Sequence, residues 1–142
     1  MSTWRRRALE LFPNLKNELN QKDYSPYWLF ADLRHLAWQA HTDDDATTLR
    51  KVYGFAAWCN DQLGGELANA ARVSFYEHLF DENKDRAFWE RIVPWISPRI
   101  ARDVWGLWEW RLSADELADL SKLFAKHDRG WQKSARAPKM ER

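Results

Sequence analysis

Cysteine is nearly missing from this chain. Cys59 is the single thiol, so no internal disulfide can form and a reducing compartment is expected. Charge of one sign is missing too: 22 Lys and Arg stand against 21 Asp and Glu, a formal net charge of +1. No whole-molecule field therefore argues for binding to nucleic acid or to an anionic membrane. Nowhere do about 18 or more apolar residues run consecutively, which excludes a conventional transmembrane helix. The opening MSTWRRRALELF carries charges where a signal peptide would carry an apolar run, and a cytoplasmic location is expected. No stretch alternates apolar and polar residues with β-branched enrichment, so strands are not expected. At 142 residues the chain can bury a core without help from a metal or a disulfide.

What the chain has in excess is aromatic area, with ten Trp, seven Phe and four Tyr. A core of this size cannot absorb so many rings, so some Trp should reach the surface. The apolar pattern centres on Leu49 to Phe80, which reads as two antiparallel helices across Gly64-Gly65. Leu49, Val52, Tyr53, Ala56 and Leu63 repeat at helical steps in the first, with Phe55 and Cys59 on a second flank. Leu67, Ala70, Ala71, Ser74, Phe75, His78 and Leu79 repeat in the second. This hairpin is the expected core.

Around it, residues 3–11 suit a short helix, with Thr3 as its cap, that stops at Pro13. Ser25-Pro26 opens a helix to about His41, apolar nearly all round, with Asp32, Arg34, His35 and Gln39 as a narrow polar edge. Asp43 to Asp45 fit the N-terminus of the next helix. A helix over Arg86 to Val93 ends at Pro94, Ser97-Pro98 starts one that runs to about Leu112, and Ser113 with Glu116 forms a capping box for the last. The fold class is all-α: six to seven helices in an irregular, orthogonal or short HEAT-like bundle without a sheet. Residues 1–127 read as one helical domain. Residues 128–142 read as a loose basic tail with too little apolar surface to order.

Three segments, FPNLKNEL (Phe12 to Leu19), PYWLFADL (Pro26 to Leu33) and VSFYEHL (Val73 to Leu79), together resemble a bacterial family known as a domain of unknown function. The resemblance runs over about residues 10 to 120, and the Trp-rich segment 104–110 departs from the family pattern. It implies an all-helical cytosolic bacterial protein, of a kind sometimes placed among candidate immunity proteins that neutralise a secreted toxin. No catalytic residue is carried over by it.

The residues themselves supply little chemistry. His35, His41 and His78 lack the one-turn spacing of His-x-x-x-His or Glu-x-x-His that aims two ligands into one cavity, so no metal and no cofactor is expected. His78 reads as a hydrogen-bonded interior histidine, and Glu77 as the partner of a helix end or an arginine. Cys59 lies mid-helix among apolar residues and no Gly-x-Ser-x-Gly turn exists, so an enzyme is not expected. A dispersed site that spacing does not reveal is the remaining enzymatic alternative. Arg5, Arg6 and Arg7 beside Trp4, and Arg129, Lys133, Arg136, Lys139 and Arg142 around Trp131, could hold phosphates as a nucleic-acid-associated regulator would. Both clusters lie at the ends of a domain that is not otherwise basic.

The reading with most behind it is a protein-binding protein, because Trp and Arg most often dominate interface energies. WGLWEWR, Trp105 to Arg111, is the richest patch. At about 100° per residue its three Trp point near ~0°, ~300° and ~140°, so they cannot share one face. Trp108 aligns with Ile100, Val104 and Leu112 and should be buried. Trp105, Trp110, Arg99, Arg102 and Arg111 are the candidate partner-binding residues, with Trp110 as the anchor and a cognate toxin as the implied partner. The absence of ligand spacing has a direct test: purified protein is expected to carry no stoichiometric zinc, iron or manganese by elemental analysis, and one equivalent of any of them would overturn the reading.

Overall fold

Several helix starts follow from side chains that take up backbone N–H groups left free at a first turn. Ser25 Oγ accepts from the Trp28 amide at 3.5 Å with Pro26 at the first helical position. Ser97 Oγ accepts from Ile100 at 3.2 Å, again ahead of a proline. Ser113 and Glu116 form the reciprocal capping box, at 3.2 and 2.8 Å. Asp45, last of the acidic run, accepts from the Thr48 amide and hydroxyl.

The computed structural model describes residues 2–62, 65–128, 130 and 131. Among them are eight α-helices and no strand: α1 (Thr3–Leu11), α2 (Lys16–Leu19), α3 (Pro26–Thr42), α4 (Ala46–Asn60), α5 (Gly65–Ala70), α6 (Arg86–Ile92), α7 (Pro98–Arg111) and α8 (Ala114–His127). The all-α class is as expected, with slightly more helices. Ser2, not Thr3, stands at the start of α1, and its side chain makes no capping bond. The backbone packs as two compact units, one ending at Ser74 and one beginning at Phe75. Each unit has its own aromatic cluster.

In the first unit α3 and α4 pack along each other and α5 rests on both. Phe55 of α4 lies between Phe30 and Phe12, at ring-centroid distances of 5.7 and 6.0 Å. His41 Nε2 and the Tyr53 hydroxyl meet at 2.8 Å inside this core. Cys59 is fully buried, and burial pushes its thiol up to about 12. Arg5 of α1 reaches across to the stretch after α2, donating to the carbonyls of Leu19 (2.7 Å), Gln21 (3.1 Å), Lys22 (3.3 Å) and Tyr24. One guanidinium therefore ties the chain end to the α2–α3 connection.

The hairpin expected over Leu49 to Phe80 is only half regular. Leu63 and Gly64 lie outside the described residues, while Gly65 takes φ +83°, a conformation that glycine adopts at little cost. Its second arm leaves α geometry after Ala70, widens into a π turn over Ala71–Phe75 and tightens into a 3₁₀ turn over Tyr76–His78. Two arginines take up polar groups there: Arg34 donates to the Ser74 carbonyl at 2.6 Å and Arg72 to Asn60 Oδ1 at 2.8 Å. The division between units falls at the end of this widened turn, so the expected central helix is in fact a junction.

The second unit closes on rings. Phe80 meets Trp89 and Trp108 edge-on at 5.5 and 5.1 Å, and Phe124 of α8 stacks on Trp108 at 5.8 Å. Two buried indoles find acceptors: Trp108 donates to the Tyr76 carbonyl at 2.7 Å and Trp89 to that of Asn83 at 2.7 Å. Lys84–Glu116, Arg86–Asp119 and Lys126–Glu90 link the α6 region to α8. Being exposed and screened by solvent, they add little to stability.

One ring of the segment 128–142, expected as a loose tail, is docked. Trp131 is buried, stacked on Phe124 at 4.8 Å, with its indole N–H 3.0 Å from Ser121 Oγ. One ring supplies the apolar area that the surrounding polar residues lack. Residues 132–142 lie outside the described residues.

Both units can be probed by removing a ring. Phe75→Ala is expected to cost about 3–5 kcal/mol, and Trp131→Ala about 3 kcal/mol, because each leaves a cavity that its neighbours only partly fill. Urea unfolding measures both. A Trp131→Ala midpoint equal to wild type would mean that this ring adds nothing to the second unit.

Candidate protein-binding surface

Helix α7 divides its tryptophans by position around the helix. Ala101, Trp105, Trp108 and Leu112 recur at i, i+4, i+7 and i+11, and all four are buried. Trp110 lies off this stripe and is 84% exposed. Beside it is a shallow hollow of about 310 Å³, lined by Glu77, Leu107, Trp110 and Arg111.

The floor of the hollow is an ion pair. Arg111 Nε donates to Glu77 Oε2 at 2.6 Å, and its terminal nitrogen contacts the same oxygen. Glu77 is itself 8% exposed, and burying a carboxylate so far from water is costly unless it is paired and hydrogen-bonded. The arginine partner anticipated for Glu77 is thus identified as Arg111. On the far side His78 Nδ1 sits 2.8 Å from Asp81 Oδ2, with Nε2 3.9 Å from Glu77. His78 is half-buried, not interior as expected, because it lies on the 3₁₀ turn and not on a core-facing helical stripe.

One of the expected contact residues is buried. Trp105 is 2% exposed, packed against Trp108, Phe124 and Trp131, and cannot touch a partner. Arg99 and Arg102 lie two to three turns before Trp110 on α7 and are not among the residues that line its hollow; Arg99 pairs with Asp103 at 3.5 Å. Trp110 and Arg111 remain, joined by Leu107 and Glu77, which sequence reasoning did not place there.

A second exposed ring was missed altogether. Trp28, counted among the apolar positions of α3, is 66% exposed. Its spacing gave the signal: Trp28, Asp32, His35 and Gln39 fall at i, i+4, i+7 and i+11, along the polar edge of the helix.

The chain matches the family described as a domain of unknown function, DUF7674, over residues 5–111. It belongs to that family. The three motif segments and the Trp-rich segment of α7 lie inside the DUF7674 match. Helix α8 and Trp131 lie beyond the match. No curated protein and no solved structure matches the chain.

The other candidate chemistries receive little from the geometry. Arg5 is committed to carbonyls, and Arg7 lies over the Trp58 ring at 4.2 Å. Two of the three N-terminal arginines are thus occupied within the fold, and Arg129, Lys133, Arg136, Lys139 and Arg142 lie outside the described residues. No helix is long and apolar enough to cross a membrane, and no group of three or more His, Cys, Asp or Glu is placed to hold a metal, both among the described residues.

The burial pattern makes a contrast that can be measured. Trp108→Ala is expected to cost about 3–5 kcal/mol in urea unfolding, whereas Trp110→Ala should stay within about 0.5 kcal/mol of wild type, as surface changes do. Equal losses for the two would mean that the faces of α7 are assigned wrongly.

Proposed function

We propose that this DUF7674 protein is not an enzyme and acts by binding another protein through Trp110 and its surroundings. The observation that carries this is Trp110 itself, 84% exposed on an ordered helix beside Leu107 and the Glu77–Arg111 pair. A rigid indole next to an arginine already oriented by a carboxylate combines the two side chains that contribute most at interfaces, at small ordering cost. Cys59, fully buried with its thiol pushed up to about 12, is a poor nucleophile. His78 pairs with two carboxylates, and among the described residues no hydroxyl or thiol hydrogen-bonds to it that it could activate. These points support binding over catalysis.

The specific form of the proposal is toxin neutralisation, with a bacterial toxin as partner; the sequence resemblance motivates it and the Trp110 surface would occlude the toxin. The test begins with the gene next to this one. Its product is expressed in a host with and without the chain, and growth is followed. The expectation is growth arrest relieved by wild type and not by Trp110→Ala, with calorimetric affinity weakened by about 2 kcal/mol or more in the variant. A harmless neighbour would remove the toxin reading. A partner bound equally by wild type and Trp110→Ala would remove the surface.

A further inference from the structure

The other exposed ring, Trp28, sits in a hollow with a different electrostatic character. This chain repeatedly lays a guanidinium over an indole: Arg5 on Trp4 at 4.7 Å, Arg7 on Trp58 at 4.2 Å, Arg34 on Trp38 at 5.5 Å and Arg86 on Trp89 at 4.5 Å. Trp28 has no such cover among the described residues. It forms one wall of a hollow of about 350 Å³ whose other walls are Glu18, Gln21, Asp23 and Tyr24. Asp32, just outside, is occupied by the Tyr24 hydroxyl. Burial first, and that carboxylate second, hold the Tyr24 phenol well above its ordinary range, so Tyr24 adds no charge. Glu18 and Asp23 have no ion-pair partner among the described residues. Arg5 is turned onto four carbonyls and, with Lys22, lines a neighbouring hollow instead. Those bonds also hold the connection that carries Gln21, Asp23 and Tyr24, so the walls are set before anything binds.

We propose that this hollow receives an arginine side chain from a basic segment of a partner protein, its guanidinium over the Trp28 face and its N–H groups on Glu18 and Asp23. The complementarity is specific to this ring, since the carboxylate beside Trp110 is already neutralised by Arg111. Indole faces attract guanidinium groups, and two carboxylates at the rim supply acceptors for its fork of donors. The hollow lies wholly in the first unit and shares no residue with the Trp110 surface, so the two readings stand or fall separately.

The probe is a short peptide bearing two arginines, titrated against a twin in which citrulline, nearly the same shape without charge, replaces both. The readout is the indole N–H resonance of Trp28 in ¹⁵N-labelled protein, assigned by its loss in Trp28→Ala. A saturable shift is expected with the arginine peptide, with affinity at least about fivefold weaker for the citrulline twin and for the Glu18→Gln, Asp23→Asn double variant. Trp110→Ala should leave this titration unchanged. Absence of a saturable shift, or equal affinity for the citrulline twin, would overturn the proposal. So would tetramethylammonium competing as tightly as the peptide, since the hollow would then be a site for small cations.

Discussion

A buried indole N–H needs an acceptor, and the position of Trp108 depends on its finding one. Left without a partner in the core, that group would cost about 1–3 kcal/mol. It donates instead to the carbonyl of Tyr76, whose other bond is the 3₁₀ one from the Leu79 amide and not an α-helical one. The break in the helical run around Tyr76 and the burial of Trp108 are therefore one requirement seen from two sides. From it follow the packing of Phe80 and Phe124 on the same ring and the presentation of Glu77 to Arg111. Trp110 is exposed because its helix is already fixed by the opposite face.

Much of this was written in local signals. Ser25-Pro26, Ser97-Pro98 and the Ser113 to Glu116 box each satisfy specific amides within one turn, so three residues suffice to read them. Trp108 was legible because Ile100, Val104 and Leu112 share its side of α7. The arm from Leu67 to Leu79 was not, because its apolar spacing suits an α-helix. What breaks it is long-range: Arg34 at the Ser74 carbonyl and the Trp108 indole at Tyr76. No local pattern carries that information. Trp131 escaped for a related reason, since composition averages a segment and hides a single ring able to dock. Trp105 and Trp28 were misplaced differently. Their residue type was weighed above their register, and in both the spacing pointed the right way.

The two exposed tryptophans show how the same side chain is given different partners by its surroundings. Beside Trp110 the charges cancel within the fold, leaving apolar area with a polar rim suited to a surface of matching shape. Beside Trp28 they do not cancel, and the hollow keeps a negative bias although the chain as a whole is close to neutral. Net charge alone conceals this, because selectivity at an interface depends on charge within about one Debye length, roughly 10 Å at moderate salt. Membership of DUF7674 covers both rings, so other members offer a natural comparison of which one varies with which neighbours.

The burial of Cys59 has a practical consequence. The thiol is the only one in the chain, and it belongs to the unit that ends at Ser74. A thiol reagent can reach it only when α4 comes away from its neighbours, so the rate of alkylation becomes a clock for opening of that unit alone. Fluorescence from ten indoles cannot separate the units in this way. The chain thus carries a built-in reporter by which loosening of its first unit can be timed while the second is still folded.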